Sequence, residues 1–202
     1  MTTSGPWSAA DGARLPVRVR DDLELLERAL AWTRGVLVEV RDDLAGAPTP
    51  CAGWTLLDLL RHMVDSLSAL AEGAAGSVAL ATVPVDRSAR PEELARSLRD
   101  LGCAVLGAWV HAGTRPVDLG ARSLRRAVVT EVGALEVAVH GWDVARSCGS
   151  TAELPPLLAA GLLPVAVRRV GPGDRPGSFG PVVEALRSDP AGVLLAHLGR
   201  HA

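Results

Sequence analysis

The sequence contains no lysine, tyrosine, isoleucine, asparagine or glutamine, and a single phenylalanine. Each absence removes a chemistry. All 21 basic residues are arginine, so no Schiff-base or phosphate-loop lysine is available, no tyrosine can act as an acid, and no side-chain amide can stabilise an oxyanion. What remains for catalysis is His, Asp, Glu, Ser, Thr, Cys, Arg and a metal. Excess charge is also missing. A net charge of -2 offers no basic field for nucleic acid or an anionic membrane, and neither is expected as a partner. The three cysteines, Cys51, Cys103 and Cys148, have no CxxC spacing and are odd in number, which predicts free thiols in a reducing compartment. The first residues are polar and broken by Pro6 and Pro16, unlike a signal peptide, and the longest apolar stretch, 157–167, is interrupted by Gly161 and Pro164. A cytoplasmic location is expected.

What is present describes helices. The chain has 202 residues, 48% of them hydrophobic, enough to bury one sizeable core. Residues 1–18 read as an irregular arm. From Asp21, Leu23, Leu26, Leu30, Leu37, Val40 and Leu44 recur at heptad-like spacing and predict a long helix with Thr33 on its inward stripe. APTPCAGW is a turn-rich connector, after which Thr55 and Asp58 form a capping-box pair that starts a second helix carrying His62. A linker spans 73–90. Pro91 opens a third helix, ended by Gly113 and Pro116, then a short extended piece at 117–119 precedes a fourth helix over 123–147. Beyond Gly149, ELPPLLAAGLLPVAVRRV predicts a docked helix with a break at Pro164, FGPVVEA a short strand, and DPAGVLLAHLGR a terminal helix. The reading is an all-α four-helix bundle over 19–149, with a small extension over 150–202 packed on it.

The stretch EVGALEVAVHGWDVARSCG carries the chemistry. At 3.6 residues per turn Val132, Leu135, Glu136, Val139, His140 and Asp143 share a stripe, so three ionisable groups stand on an otherwise apolar face. Burying them is costly unless they pair or bind a cation. Glu136 and His140 lie one turn apart, a spacing that suits either a simple ion pair or two ligands of one metal. Asp143 could hold a ligand imidazole from behind or pair with Arg146 or Arg122 at the surface. A third ligand must come from elsewhere, and His62 is the one other histidine inside a strongly helical pattern with a clean start. Its helical angle, however, lies nearly opposite the stripe of Leu56, Leu60, Met63, Val64 and Leu67, so periodicity alone reads it as a surface residue. Arg146, Thr33 and Asp58 are the other polar groups that helical angle brings nearest the ligands, as candidate cofactor contacts. The cysteines show no recognisable histidine partner and read as small apolar residues, though a helix N-terminus could activate Cys51. Trp54 and Trp142 read as core; His111, His197 and His201 read as solvated.

The segments TPCAGWTLLDLLRHMV, EVAVHGWDVARSCG, FGPVV and LLAHLGR resemble a family of actinobacterial proteins. These are relatives of the mycothiol-dependent maleylpyruvate isomerase N-terminal domain, within the DinB-like four-helix bundle superfamily. The resemblance implies a divalent metal, zinc first, with nickel or iron as alternatives, held by His62, Glu136 and His140. Three protein ligands leave a position open, the mark of a catalytic site. In relatives of this kind that position takes the thiolate of mycothiol. The isomerases carry a second domain, and this chain has nothing of that length after Gly149. The resemblance implies a metal-dependent enzyme of the mycothiol-dependent transferase or isomerase type, acting on a small electrophilic molecule; helical angle, which places Asp143 on the stripe of Glu136 and His140, makes Asp143 the candidate catalytic side chain. The alternatives are a thiol-independent metal-dependent lyase, cyclase or hydrolase of specialised metabolism, and a non-catalytic metal-binding module. A homodimer is the assembly to test for.

Overall fold

The signals that start helices in the sequence start them in the structure. The computed structural model describes residues 18–79, 88–175 and 179–201, so the N-terminal arm lies almost wholly outside the described residues. Helix α2, Leu56–Ala75, begins with the capping box: Thr55 Oγ1 accepts from the Asp58 N–H at 3.2 Å and Asp58 Oδ2 accepts from the Thr55 N–H at 3.1 Å. Pro91 is the first residue of α3, Pro91–His111. The Asp189 side chain accepts from the Gly192 N–H at 2.9 Å and starts α6, Pro190–His197.

Boundaries set by periodicity alone shift. The first helix, α1, spans Arg18–Val36 and does not reach Leu44; a 3-10 turn Leu37–Glu39, an extended Val40 and a second 3-10 turn Asp42–Leu44 replace its end. Val36, Val38 and Val40 are β-branched and support a continuing helix poorly. Leu37 and Val40 stay buried, so the apolar spacing reports burial rather than helicity. The second helix runs on through Gly73 to Ala75 before β1, Ser77–Val78, which pairs in parallel with β2, Val117–Leu119; β2 pairs antiparallel with β3, Arg122–Leu124. The fourth helix, α4, therefore starts only at Arg126 and ends at Ser147. Helix α5, Pro156–Arg169, continues across Pro164 without the expected break. Pro164 and Ala160, whose carbonyl loses its partner, are both on the exposed side, where water can replace the lost hydrogen bond. The expected strand at 179–185 is irregular chain, tied to α6 by the Val183 N–H donating to the Ala196 carbonyl at 3.1 Å.

The fold is all-α, a DinB-like helical bundle with a small extension. Helix α1 packs most extensively on α4 and α2 on α3, while α2 against α4 and α1 against α3 complete a square. Consecutive helices α1 and α2 thus lie diagonally, joined by a connection that crosses the bundle. Helix α5 rests on α4 and α1, and α6 rests on α5. With neighbours on several sides, α4 buries Ala134, Leu135, Val137, Ala138, Val139, Trp142, Val144 and Ala145, which is most of its circumference rather than one stripe. Val132, placed on that stripe by periodicity, is exposed. No helix among the described residues is long and apolar enough to cross a membrane.

Helices α1 and α4 approach closely at Gly141. The Thr33 hydroxyl donates to the Val137 carbonyl at 3.0 Å, and a Cβ on Gly141 would overlap Thr33 Oγ1 and lie 2.9 Å from the Trp32 ring. Gly141→Ala should cost about 1–3 kcal/mol of unfolding free energy in urea titrations. The cost should be smaller in a Thr33→Ala background, where the overlapping oxygen is gone; strict additivity of the two changes would refute the close approach.

Candidate metal centre

Helix α4 packs along the flank of α2 that its own periodicity assigns to solvent, and this places His62 opposite Glu136. His62 Nε2 is 2.7 Å and His140 Nε2 is 3.3 Å from the same oxygen, Glu136 Oε1. The Ser66 hydroxyl, one turn beyond His62, donates to that oxygen at 3.1 Å. The two imidazoles stand nearly perpendicular, 5.0 Å between centroids. Trp54 closes the rim: its ring meets His62 edge-on at 4.9 Å and lies roughly parallel to His140 at 6.4 Å. Trp54 is exposed and not a core residue, whereas Trp142 is buried as expected.

Behind His140 lies a polar group of three residues, Asp143, Arg200 and Cys51, the first two buried. Asp143 Oδ2 is 2.9 Å from His140 Nδ1, and because an ionised carboxylate only accepts, Nδ1 donates to it; Nε2 faces Glu136 and, while His140 is protonated, donates to that carboxylate by the same rule. Asp143 has no exposed side-chain area and does not pair with Arg146 or Arg122. Its partner is Arg200, which donates from Nη2 to Oδ2 at 2.8 Å and from Nε to Oδ1 at 3.3 Å. The Cys51 thiol donates to Oδ2 at 3.2 Å and sits 3.8 Å from His140 Nδ1, so Cys51 does have a histidine partner. Arg200 reaches this position through a tight helix end. After α6, Gly199 takes φ +81°, its N–H donates to the Ala196 carbonyl, and the Arg200 N–H returns to the Leu195 carbonyl at 2.8 Å. An added Cβ on Gly199 would come within 2.9 Å of the Gly180 backbone.

The charges are arranged to stay charged. Burial works against the Glu136 carboxylate, but hydrogen bonds from His140 and His62 outweigh it and hold its pKa below the ordinary carboxylate range. Burial opposes the His140 imidazolium, yet Asp143, Cys51 and Glu136 raise its pKa well above 6.5. Burial likewise opposes ionised Asp143, and His140 and Arg200 pull its pKa below 3.8.

Among the described residues, two groups of side chains have the donor atoms for a metal ion, His62 with Glu136 and His140, and Cys51 with His140 and Asp143. The first fits better. Adjacent ligand atoms around a tetrahedral zinc stand about 3.3 Å apart for bonds near 2.0 Å, which the His140 to Glu136 separation matches, while the His62 to Glu136 separation, 2.7 Å, is that of a direct hydrogen bond. Its side chains are also reachable, with 36% of His62 and 30% of Glu136 exposed. In the second group both Asp143 oxygens are occupied by a guanidinium that also lies 3.5 Å from Cys51 Sγ, so a cation there would meet a fixed positive charge.

Thr33, Asp58 and Arg146 are not brought to this cluster. Thr33 bonds within the α1–α4 seam, Asp58 is occupied by the α2 cap, and Arg146 bonds the Ala152 carbonyl, reaches Glu153 at 3.7 Å and lies over the Trp142 ring. Arg200 and Cys51 carry no periodic signal, since each lies off the helix it serves; the Gly-Arg pair after LLAHL is the one local cue for Arg200. Cys148 is pushed up to about 11 by burial, as suits an inert thiol. His111 and His201 are exposed, but His197 is half-buried, with its Nε2 unpartnered among the described residues.

A helical bundle with a His, Glu, His cluster in a half-exposed cleft between two of its helices defines the class of protein. The chain belongs to the family of the mycothiol maleylpyruvate isomerase N-terminal domain, whose sequence profile matches residues 23–145. Over 187 aligned residues it is 31% identical to uncharacterized protein Rv0738 of Mycobacterium tuberculosis strain H37Rv and to uncharacterized protein MT0763 of strain CDC 1551, covering 89% of this chain and 98% of each relative. Its fold is similar to the crystal structure of the mycothiol-dependent maleylpyruvate isomerase, with a TM-score of 0.53 at 19% identity over 82% of this chain and 74% of that one. A histidine-to-alanine mutant of that enzyme gives 0.51. Arg200 lies outside the residues matched by the family profile.

The Asp143 to Arg200 pair sets an acid limit. A carboxyl whose folded pKa lies below 3.8 contributes stability above that value and loses it as pH falls through the lower folded value. Arg200→Leu leaves the buried carboxylate short of a partner and should cost about 3–5 kcal/mol at neutral pH. It should also raise the pH at which acid unfolding begins, because burial then acts on Asp143 with less opposition. An acid transition at unchanged pH, followed by circular dichroism, would show that the pair does not govern it.

Proposed function

We propose that this protein is a metal-dependent enzyme of the mycothiol-dependent transferase or isomerase type, acting on a small electrophilic molecule. The observation that carries the reading is the convergence of His62 Nε2, Glu136 Oε1 and His140 Nε2 on one half-exposed point, with the far nitrogen of His140 engaged by Asp143. It is supported by membership of a family named for a mycothiol enzyme. On this reading His62, Glu136 and His140 hold a divalent ion, zinc by its N and O preference. When bound, such an ion supplies Lewis acidity and lowers the pKa of a thiol that reaches it.

The chain's own residues then have distinct tasks. Asp143 fixes the tautomer and ring orientation of His140, and Arg200 and Cys51 fix Asp143 in turn. Fully buried and bonded at both oxygens, Asp143 is suited to positioning rather than to exchanging a proton with a substrate. Ser66 orients Glu136, and Trp54 forms an apolar wall at the open side, against which a small molecule can rest. Residues 19–149 form the metal-binding unit, and the extension over 150–202 completes it through Arg200.

Three measurements test this. Elemental analysis of the purified protein should find close to one divalent ion per chain, lost in Glu136→Ala and His140→Ala, and metal retention should fall on acidification because protons compete for the imidazoles. Asp143→Asn should keep most of the metal while lowering turnover about 10- to 100-fold. Turnover is assayed with mycothiol and maleylpyruvate, then with mycothiol and 1-chloro-2,4-dinitrobenzene. Metal content equal in native protein and Glu136→Ala would remove the metal site, and metal-loaded protein inert with mycothiol toward both electrophiles would remove the thiol reading.

A further inference from the structure

The bundle contains a second concavity that shares no residue with the His, Glu, His cluster. It lies between α1 and α3, the most sparsely packed pair of the square, and encloses about 170 Å³. Its walls are the buried side chains of Leu30, Met63, Leu67 and Leu98. Its rim carries Arg34, Arg99, Glu27 and Cys103, of which Arg34, Glu27 and Cys103 are exposed, so the space opens to solvent there. Among the described residues neither guanidinium has a carboxylate partner; Arg34 has only the Cys103 sulfur, at 3.6 Å.

Size and charge define what would fit. An apolar cavity of about 150 Å³ stays dry and binds benzene in another protein, whereas drug-sized ligands fill roughly 300–1,000 Å³. Guanidinium groups recognise carboxylates by paired, charge-assisted hydrogen bonds. We propose that this cavity is a second ligand site, for a compact apolar group of about benzene size bearing one carboxylate. The ring or short chain lies among the leucines, and the carboxylate faces Arg34 and Arg99. Glu27, the one acid at the rim, weakens binding.

The test is ligand-observed fluorine NMR with 4-fluorobenzoate and its neutral counterpart 4-fluorotoluene, on the full chain treated with chelator. The acid should bind at least tenfold more tightly than the neutral compound. Arg34→Glu combined with Arg99→Glu should abolish that preference while 4-fluorotoluene binding stays within twofold, and Glu27→Gln should tighten the acid. Gly102→Leu, whose side chain would grow toward Leu30 into the cavity, and Leu106→Trp, at its lining, should each remove binding of both compounds. Because filling a core site can unfold it, a second readout uses native protein: saturating 4-fluorobenzoate should slow iodoacetamide labelling of Cys103 at least threefold. His140→Ala should bind the acid as native protein does. Absence of binding, equal affinity for acid and neutral compound, loss of binding in His140→Ala, or unprotected Cys103 would each overturn the proposal, and none of these results bears on the metal or thiol chemistry of the other site.

Discussion

A buried carboxylate imposes the constraint on which this structure turns. Asp143 has no exposed side-chain area, and an unpaired charge in that position would cost several kcal/mol. Two distant parts of the chain therefore join His140 of the same helix on it: Cys51 from the connector before α2, and Arg200 from the turn after α6. Satisfying one anion brings the chain's C-terminal region against the bundle's central helix. The extension is thus tied electrostatically to the site and not only packed on the bundle.

The same helix serves two environments. On its α1 side α4 is packed as tightly as glycine allows, with Gly141 against Thr33 and Trp32. On its α2 side it presents Glu136 and His140 to a half-exposed cleft rimmed by Trp54. Rigidity on one side supports geometry on the other, since facing side chains hold their separation only if the helices carrying them do not slide. The less tightly packed α1 and α3 seam lies on another side of the square, where its cavity shares no residue with the cluster.

Much of the fold is legible in the sequence because helix starts are local events. Thr55 with Asp58, Pro91 and Asp189 each satisfy or avoid orphan N–H groups within a few residues, and no tertiary partner is needed to see it. Glu136 and His140 belong to the same class, because one turn of one helix places them together whatever surrounds it. The lack of lysine, tyrosine and side-chain amides is a property of composition alone, and it narrows the chemistry open to any site this chain can build.

Contacts between elements decide the rest. His62 is a surface residue by the periodicity of α2 and becomes a partner of Glu136 only because α4 packs along that flank. Thr33, Asp58 and Arg146 have suitable helical angles but are bound by nearer partners, since an angle says nothing about which neighbour arrives first. The end of α1 escapes periodicity because Leu37 and Val40 are buried without continuing the α-helix. Arg200 and Cys51 are 149 residues apart and invisible to any local pattern; a buried anion, which exists only once the chain has folded around it, selects them.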